Sequence, residues 1–565
     1  MTRSQRSSTL DSARPLLSHH DTEDDLLWQQ RSRYHGTDAA VARAPHVNDG
    51  NNVGDDNDDD GLEDYISHFD DDPDNPQNWP ASFKWSVVAL LAMTAFSVTF
   101  NCISLVPLAP SIVRSLTPPP PPPSDGTDSS LPPPANLKSA SVLLVTIWEL
   151  GEAAGPLLIA PLSELFGRYP TLNITNLLLI LFTILTATAT SVPTLILSRC
   201  LTGMAVASNV LNPAIVGDMF PSDQRGSAMS LIFIAPLIGG AVGPAISSAV
   251  AESVGWRKVV WGVVGLSTIC EILFLCLFKE TYKVAIVRRR VMREKHSRHR
   301  LANAHVDMST GNLKRGKKSK REEWRKLRDS VLRPFLVVFG SGLLMALSLL
   351  GSVTFSYFYV VSVTLPEILE DKYGLSGAVK GLCFMGFTVG SFLAVLTCNA
   401  FLDRIYIALR DRDAALTQPC SPDDCRPKEK PEYRLPLTIL GAFSMPFAIT
   451  FYGWVAQLSL PLPFLLIACG LIGANTMMTL IPLMAYVVDA FGLFSASAMT
   501  GVIVSRCLMG TFLPLAAAPL VDSFGYGWGF MVFGVMSGAL APISVVVFRY
   551  GERWRQFCKY SRVEQ

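Results

Sequence analysis

Apolar residues come in long runs along this chain, with clusters of polar residues between them. Crossing the ~30 Å hydrocarbon core of a bilayer takes about 20 helical residues. Twelve runs meet that length when read against their polar breaks. The first six cover 85–107, 140–162, 171–190, 194–216, 227–250 and 259–278, and the second six cover 335–364, 376–400, 435–455, 463–488, 496–518 and 527–548. In the seventh, the apolar stretch Leu343 to Val363 is long and is interrupted by Gly351 and Ser352. The pattern predicts an all-α polytopic membrane protein with twelve transmembrane helices in two six-helix bundles. A rocker-type secondary transporter is built from two such halves.

The polar segments divide the chain into an acidic tail (1–82), an N-terminal bundle (83–278), a basic linker (279–334), a C-terminal bundle (335–549) and a short tail (550–565). Asp55 to Asp74 is strongly acidic and offers few core-forming residues, so the first segment reads as disordered. It has none of the features of a cleaved signal peptide, and the first span is the expected targeting signal. The run Pro118 to Pro123, with Pro132 to Pro134, reads as a stiff extended spacer between the first two spans.

Composition strengthens the membrane reading. The 565 residues are 49% hydrophobic and only 17% charged, with a mean hydropathy of +0.31. A soluble chain carries about 25% charge. The net charge of +1 says little about partners, because the charges are segregated. Lys279 to Arg333 holds nineteen Lys or Arg against six acids, and the loops on the other side are poor in both. The positive-inside rule then places the linker and both termini in the cytosol. Most of the eleven cysteines lie in apolar spans as small hydrophobes, and Cys420 and Cys425 share a loop read as cytosolic, where a disulfide is not expected. In the linker, Gly311 to Lys318 nearly spells a phosphate-binding loop, but Lys318 stands where a Ser or Thr is needed and no apolar strand precedes it. No nucleotide or nucleic-acid partner, cofactor or metal is expected.

The richest stretch is Thr146 to Tyr169. Glu149 and Glu152 lie inside the second span, three residues apart and so on one helix face. A carboxylate at the bilayer centre costs at least ~2.5 kcal/mol, which makes it a functional-site hypothesis by default. Burial favours the protonated form, so such a group is suited to exchanging a proton. The alternative is that both acids simply hydrogen-bond to neighbouring helices. Two carboxylates in a cleft would also attract a cation or an amine. Arg199 lies in the fourth span and cannot shed its charge, so it needs a carboxylate or carbonyls nearby. Tyr357 and Tyr359, with Phe358 between them, are candidate cavity aromatics in the seventh span. A weak repeat relates Leu162-Ser163-Glu164 and Gly167-Arg168 after the second span to Leu402-Asp403-Arg404 after the eighth.

Together these motifs resemble the major facilitator superfamily, and within it the twelve-span fungal drug:proton antiporters that export drugs and toxins. The resemblance covers most of residues 72–555. It begins at Asp72-Pro73-Asp74-Asn75-Pro76-Gln77-Asn78-Trp79-Pro80 and continues in the loop after the second span. There Leu162, Glu164, Gly167 and Arg168 match the GxLxDRxGRR pattern, while Ala160, Leu165 and Tyr169 depart from it. Arg199 and Gly203 match the RxxxG element of the fourth span. Pro236, Gly239, Gly240, Gly243 and Pro244 resemble the antiporter motif of the fifth, with Ser247 and Ser248 in place of its closing glycines. The resemblance implies proton coupling through Arg199 and a neighbouring acid. It also implies a fifth helix that shapes the cavity, and a cytosolic latch of Glu164, Gly167, Arg168, Asp403 and Arg404. Asp218, Glu280, Glu432, Asp489 and Arg506 read as structural charges near helix ends.

The expectation is a monomeric, proton-coupled exporter of small organic compounds in the plasma membrane, working by alternating access. Its partners are a small-molecule substrate, protons and the lipid bilayer. A proton-coupled transporter of polyamines, organic cations or a nutrient is the nearest alternative, and a transporter-like sensor a more distant one. An enzyme is not expected, since no nucleophile constellation or metal-ligand spacing is present and none of the eight His falls in a span.

Overall fold

The computed structural model of the protein describes residues 72–117, 135–221, 224–291, 293, 328, 332–416, 430–491 and 495–557. The acidic tail before Asp72, the proline runs, the near-miss phosphate loop, most of the linker, Cys420 and Cys425 lie outside the described residues. Among the described residues every regular element is a helix.

The first six legs begin with α1 (Ala81–Ser104), extended by α2 (Ala109–Leu116), and α3 (Ala135–Phe166). They continue with α4 (Arg168–Thr188), the pair α5 (Val192–Met204) and α6 (Ser208–Met219), α7 (Arg225–Val254) and α8 (Trp256–Leu277). The second six begin with α9 (Gly342–Asp371), the pair α10 (Gly377–Cys383) and α11 (Met385–Leu416), and α12 (Pro436–Gln457). They end with α13 (Leu462–Phe491), α14 (Ser495–Phe512) and α15 (Ala517–Phe557). Ten described segments are long and apolar enough to cross a membrane. The last of these, Ser497–Gln556, contains two legs joined through a kink at Gly525, and α5 with α6 adds one more. Among the described residues the legs therefore number twelve, as the apolar pattern predicts.

Three legs differ from the sequence-based expectation. The fourth is broken: the backbone tightens to three-residue hydrogen bonds at Ala205 and Val206 and restarts at Ser208. The seventh starts at Gly342, because the Ser341 hydroxyl accepts from the Leu344 amide and caps it there, and it runs on to Asp371 through Pro366. Gly351 and Ser352 do not interrupt it. The eighth is split at Phe384 and extends to Leu416.

The packing is inverted relative to a soluble protein, as lipid contact requires. On α4 the exposed face carries Ile174, Leu177 and Leu181, while Thr171, Asn173, Thr175, Thr183 and Thr186 turn inward. Phe447 on α12 is 77% exposed, a position that only hydrocarbon would tolerate well. Within the first half α1 packs on α7 and α3 on α5, and within the second α9 packs on α14 and α12 on α13 and α15. The halves meet where α3 packs on α14 and α7 on α10.

Candidate functional site

Close approach of α3 to the fourth leg sets up the site. A Cβ on Gly151 would lie 2.0 Å from the Cys200 carbonyl oxygen, and one on Gly203 would lie 2.2 Å from that of Trp148. Bare backbone on both sides lets the helices touch, as small residues do at membrane interfaces. This contact presses Trp148, Glu149 and Glu152 against their neighbours.

Trp148 is fully buried and serves two charges. Its ring lies 4.6 Å beneath the Arg199 guanidinium, and its Nε1 donates to Glu152 Oε2 at 3.2 Å. Arg199 is buried and donates to the carbonyl oxygens of Asn101 (3.0 Å) and Cys102 (2.7 Å) on α1. Of the partners the sequence allows for Arg199, the structure supplies carbonyls and a ring. Glu152 also accepts from Asn209 Nδ2 at 2.7 Å, delivered by the break between α5 and α6. Its third partner is Arg506 of α14, at 3.5 Å. Glu149 accepts a 2.5 Å hydrogen bond from the Tyr359 hydroxyl of α9 at Oε1, and its Oε2 is buried with no partner.

Trp148, Glu149, Glu152, Asn209, Tyr359 and Arg506 line a cavity of about 270 Å³ between the halves, and Arg199 lies behind Trp148 outside that lining. One wall is polar, with Glu149, Glu152, Asn209 and Arg506. The other is aromatic, with Phe355, Phe358, Tyr359, Phe384 and Phe387. Both acids are tied to the opposite half, Glu149 through Tyr359 and Glu152 through Arg506. A change at either acid can therefore be felt across the join. Pro236 and Gly240 of α7 also reach the cavity.

The structure does not bring every expected residue here. Tyr357 points into the second half and donates to the Phe533 carbonyl at 2.9 Å. Residues two apart on a helix differ by about 200° in direction, so Tyr357 and Tyr359 cannot share a wall. Gly239 and Gly243 face α1 at Phe96 and Phe100, and the Pro244 carbonyl lies against Gly381 of the other half. The fifth leg thus forms two seams besides one edge of the cavity.

The expected latch residues lie at the end of the molecule that carries the linker. Gly167 has φ +101°, and a Cβ there would lie 2.2 Å from Glu280 Oε2. This left-handed turn favours glycine, and Glu280 accepts from the Arg168 amide at 2.7 Å. The Arg168 side chain reaches Asp218 at 3.4 Å, the Ser163 hydroxyl, and the Tyr282 ring at 4.8 Å. In the other half Asp403 pairs with Arg434 at 3.4 Å, and Arg434 also holds Asp489. Glu164 and Arg404 are exposed, and no ion pair joins Glu164 or Arg168 to Asp403 or Arg404. Each cluster belongs to its own half.

Two charges escaped the sequence reading. Arg506 reads there as a helix-end charge but reaches the cavity, 4.3 Å over the Phe355 ring. An Arg eleven residues into a helix that begins at Ser495 cannot be an end charge, which was the available signal. Glu271 of α8 is a third buried carboxylate. It accepts from Asn176 Nδ2 at 2.8 Å and lies away from the cavity.

A twelve-leg all-helical bundle with a charged central cavity defines a membrane transporter. Residues 86–505 match the Major Facilitator Superfamily, and the chain belongs to it. It is 30% identical over 493 residues to "Efflux pump radE" of Floropilus chiversii, covering 87% of this chain and 84% of that one. It is 31% identical to "MFS transporter cpaT" of Aspergillus oryzae, covering 86% and 91%. The fold is similar to a crystal structure of a D-xylose-proton symporter, with a TM-score of 0.58 at 17% identity, covering 82% of this chain and 97% of that one. It also resembles the human organic anion transporter MFSD10, with a TM-score of 0.55 at 16% identity, covering 82% and 100%. The chain is thus a multi-pass membrane transporter of small molecules and not an enzyme.

Proposed function

We propose that the protein is a proton-driven antiporter that exports small, largely apolar organic compounds across the plasma membrane. The observation that carries this reading is the pair of buried acids, each bonded to the opposite half across the cavity. Protonation of an acid there changes the contact between the halves, which is what coupling to an ion gradient requires. The relative named as an efflux pump supports export, and so does the Pro-Gly pattern of α7.

The linker end faces the cytosol, as its Lys and Arg excess directs. Substrate enters the cavity from that side while an acid is ionised. The halves then rock, with α3 against α14 and α7 against α10. Substrate leaves outward as a proton binds. Arg199 holds α1, α5 and Trp148 in register, and Trp148 in turn positions Glu152. The cytosolic clusters around Arg168 and Arg434 brace each half as it moves. The chain works as a monomer with both termini in the cytosol, and drugs, toxins or endogenous metabolites are its cargo.

The test is accumulation of a fluorescent cationic drug in cells lacking their own pumps, with and without a protonophore. Expression of the protein lowers accumulation, and the protonophore removes the difference. Higher accumulation with the protein present would mean import, and protonophore-insensitive efflux would end the proton-driven reading.

A further inference from the structure

We infer that Glu149 Oε2 is the docking point for one hydrogen-bond donor carried on an aromatic substrate, and that a proton and this donor take turns there. The inference rests on the transport reading above and names the substrate class of the same cavity.

The two acids are met differently. Both oxygens of Glu152 have partners, in Trp148, Asn209 and Arg506. Glu149 has Oε1 committed to Tyr359, while Oε2 is buried and unpartnered. Glu149 as a whole is 2% exposed, and it lines the cavity. A buried carboxylate oxygen without a donor is costly, and it therefore takes a proton or a ligand donor. The groups that face Glu149 are Glu152 on its own helix, Tyr359 on α9, and Arg506 and Cys507 on α14. Arg506 is engaged by Glu152 and by the Phe355 ring. The Cys507 thiol lies against Glu149 but is a weak donor, which a substrate N–H or O–H would displace. Of the two acids' four oxygens, Glu149 Oε2 is thus the one without a donor.

The aromatic part of the lining decides what carries that donor. Phe355, Phe358, Phe384 and Phe387 present rings that favour an aromatic body. A polyamine would bring several ammonium groups to a lining in which Glu149 Oε2 is the one carboxylate oxygen without a donor. An aromatic amine or a phenol fits both walls.

Tyr359 gives this occupancy a consequence. It belongs to the half opposite Glu149, and its hydroxyl binds a charged carboxylate more strongly than a neutral one. A proton on Oε2 weakens that cross-half bond, whereas a substrate donor leaves the charge in place. Tyr359 is therefore a positioning residue that transmits what occupies Oε2.

The full-length protein in lipid nanodiscs is titrated calorimetrically near neutral pH with naphthylmethylamine, naphthol and methoxynaphthalene. These share a ring body and carry a cationic donor, a neutral donor and no donor. At least one donor compound binds about tenfold or more tightly than the ether, and the ratio between amine and phenol says which donor is preferred. Glu149→Met closes the gap between donor and ether. Tyr359→Phe keeps the gap in binding while transport falls, which a merely structural tyrosine would not do. If Glu149→Met does not fold, Glu149→Gln serves, with a narrowed gap expected. Equal binding of all three, binding of none, or an unchanged gap in the Glu149 variant overturns the assignment. The readout is equilibrium binding, so a failure to pump in cells would reject the transport reading separately.

Discussion

Arg506 and Glu152 are the pair on which the polar wall depends. Their contact joins α14 to α3 at 3.5 Å, and Arg506 keeps 21% of its side chain exposed to the cavity. Removing one partner of a sealed pair costs ~3–5 kcal/mol, because the other charge is left unpaired. The partial exposure lowers this to about 2 kcal/mol. Arg506→Ala should therefore lower the melting temperature of the purified protein and abolish transport. Arg506→Gln combined with Glu152→Gln should recover much of the melting temperature but none of the transport. If the double variant melts no higher than Arg506→Ala, the stability loss comes from packing over Phe355 rather than from the stranded charge. At this scale the sequence was informative about which residue types matter and silent about direction. Glu149 and Glu152 announce themselves as acids in an apolar run. Whether Tyr357 or Tyr359 meets them depends on the rotation of α9, which a run with aromatic and apolar residues on all sides does not encode.

Among the elements, α7 offers the clearest separation of neighbouring positions. A Cβ at Gly239 would come within 3.0 Å of the Phe96 carbonyl, whereas at Gly240 the nearest atom is Ile103 Cδ1 at 3.6 Å. The first distance demands movement of backbone and the second is ordinary contact. Gly240→Ala should express and fold like the wild type, with an effect confined to substrate preference, since Gly240 lines the cavity. Gly239→Leu should reduce folded yield several-fold by forcing α1 away from α7. Size-exclusion profiles of the two variants check this, and equal yields would show that the motif does not serve close packing. The turn at Gly167 gives a sharper case: Gly167→Ala meets both an unfavourable φ and the Glu280 carboxylate, so it should lose about 1–2 kcal/mol of stability. Recovery in Gly167→Ala with Glu280→Ala would be partial, because the backbone strain remains. The apolar runs gave the order and number of legs because lipid contact imposes one composition along each. They could not give the break after Met204 or the start of the seventh leg at Gly342. The break falls on Ala205, Val206 and Ala207, which are as apolar as the residues of the helices around them, and the start is decided by one hydroxyl on Ser341.

Across the whole molecule, the polar contacts between halves are distributed unevenly. At the end opposite the linker, Lys138 pairs with Asp522 at 2.7 Å and Arg114 with Glu370 at 3.6 Å, and the Ala378 amide donates to Glu252 at 3.1 Å. Each of these joins one half to the other. At the linker end, the ion pairs among the described residues stay within a half. Among the described residues, polar side-chain contacts thus tie the halves together at the end proposed to face outward. Lys138, Asp522, Arg114 and Glu370 are all partly exposed, and such pairs contribute ~0.2–1 kcal/mol each. A gate built from weak contacts can open on each cycle, whereas one strong pair would trap it. Reversing Lys138→Asp and Arg114→Glu together replaces two attractions with two repulsions and should shift the population by several-fold toward the state open at that end. Cys102 lines the cavity and reports the shift. Its labelling by an impermeant maleimide from outside, read by peptide mass spectrometry, should rise several-fold in the double variant. Adding Asp522→Lys to Lys138→Asp restores that pair and should return labelling part of the way to the wild-type rate. Unchanged labelling in the double variant would mean that the α7–α10 packing, and not the ion pairs, keeps the outer end closed.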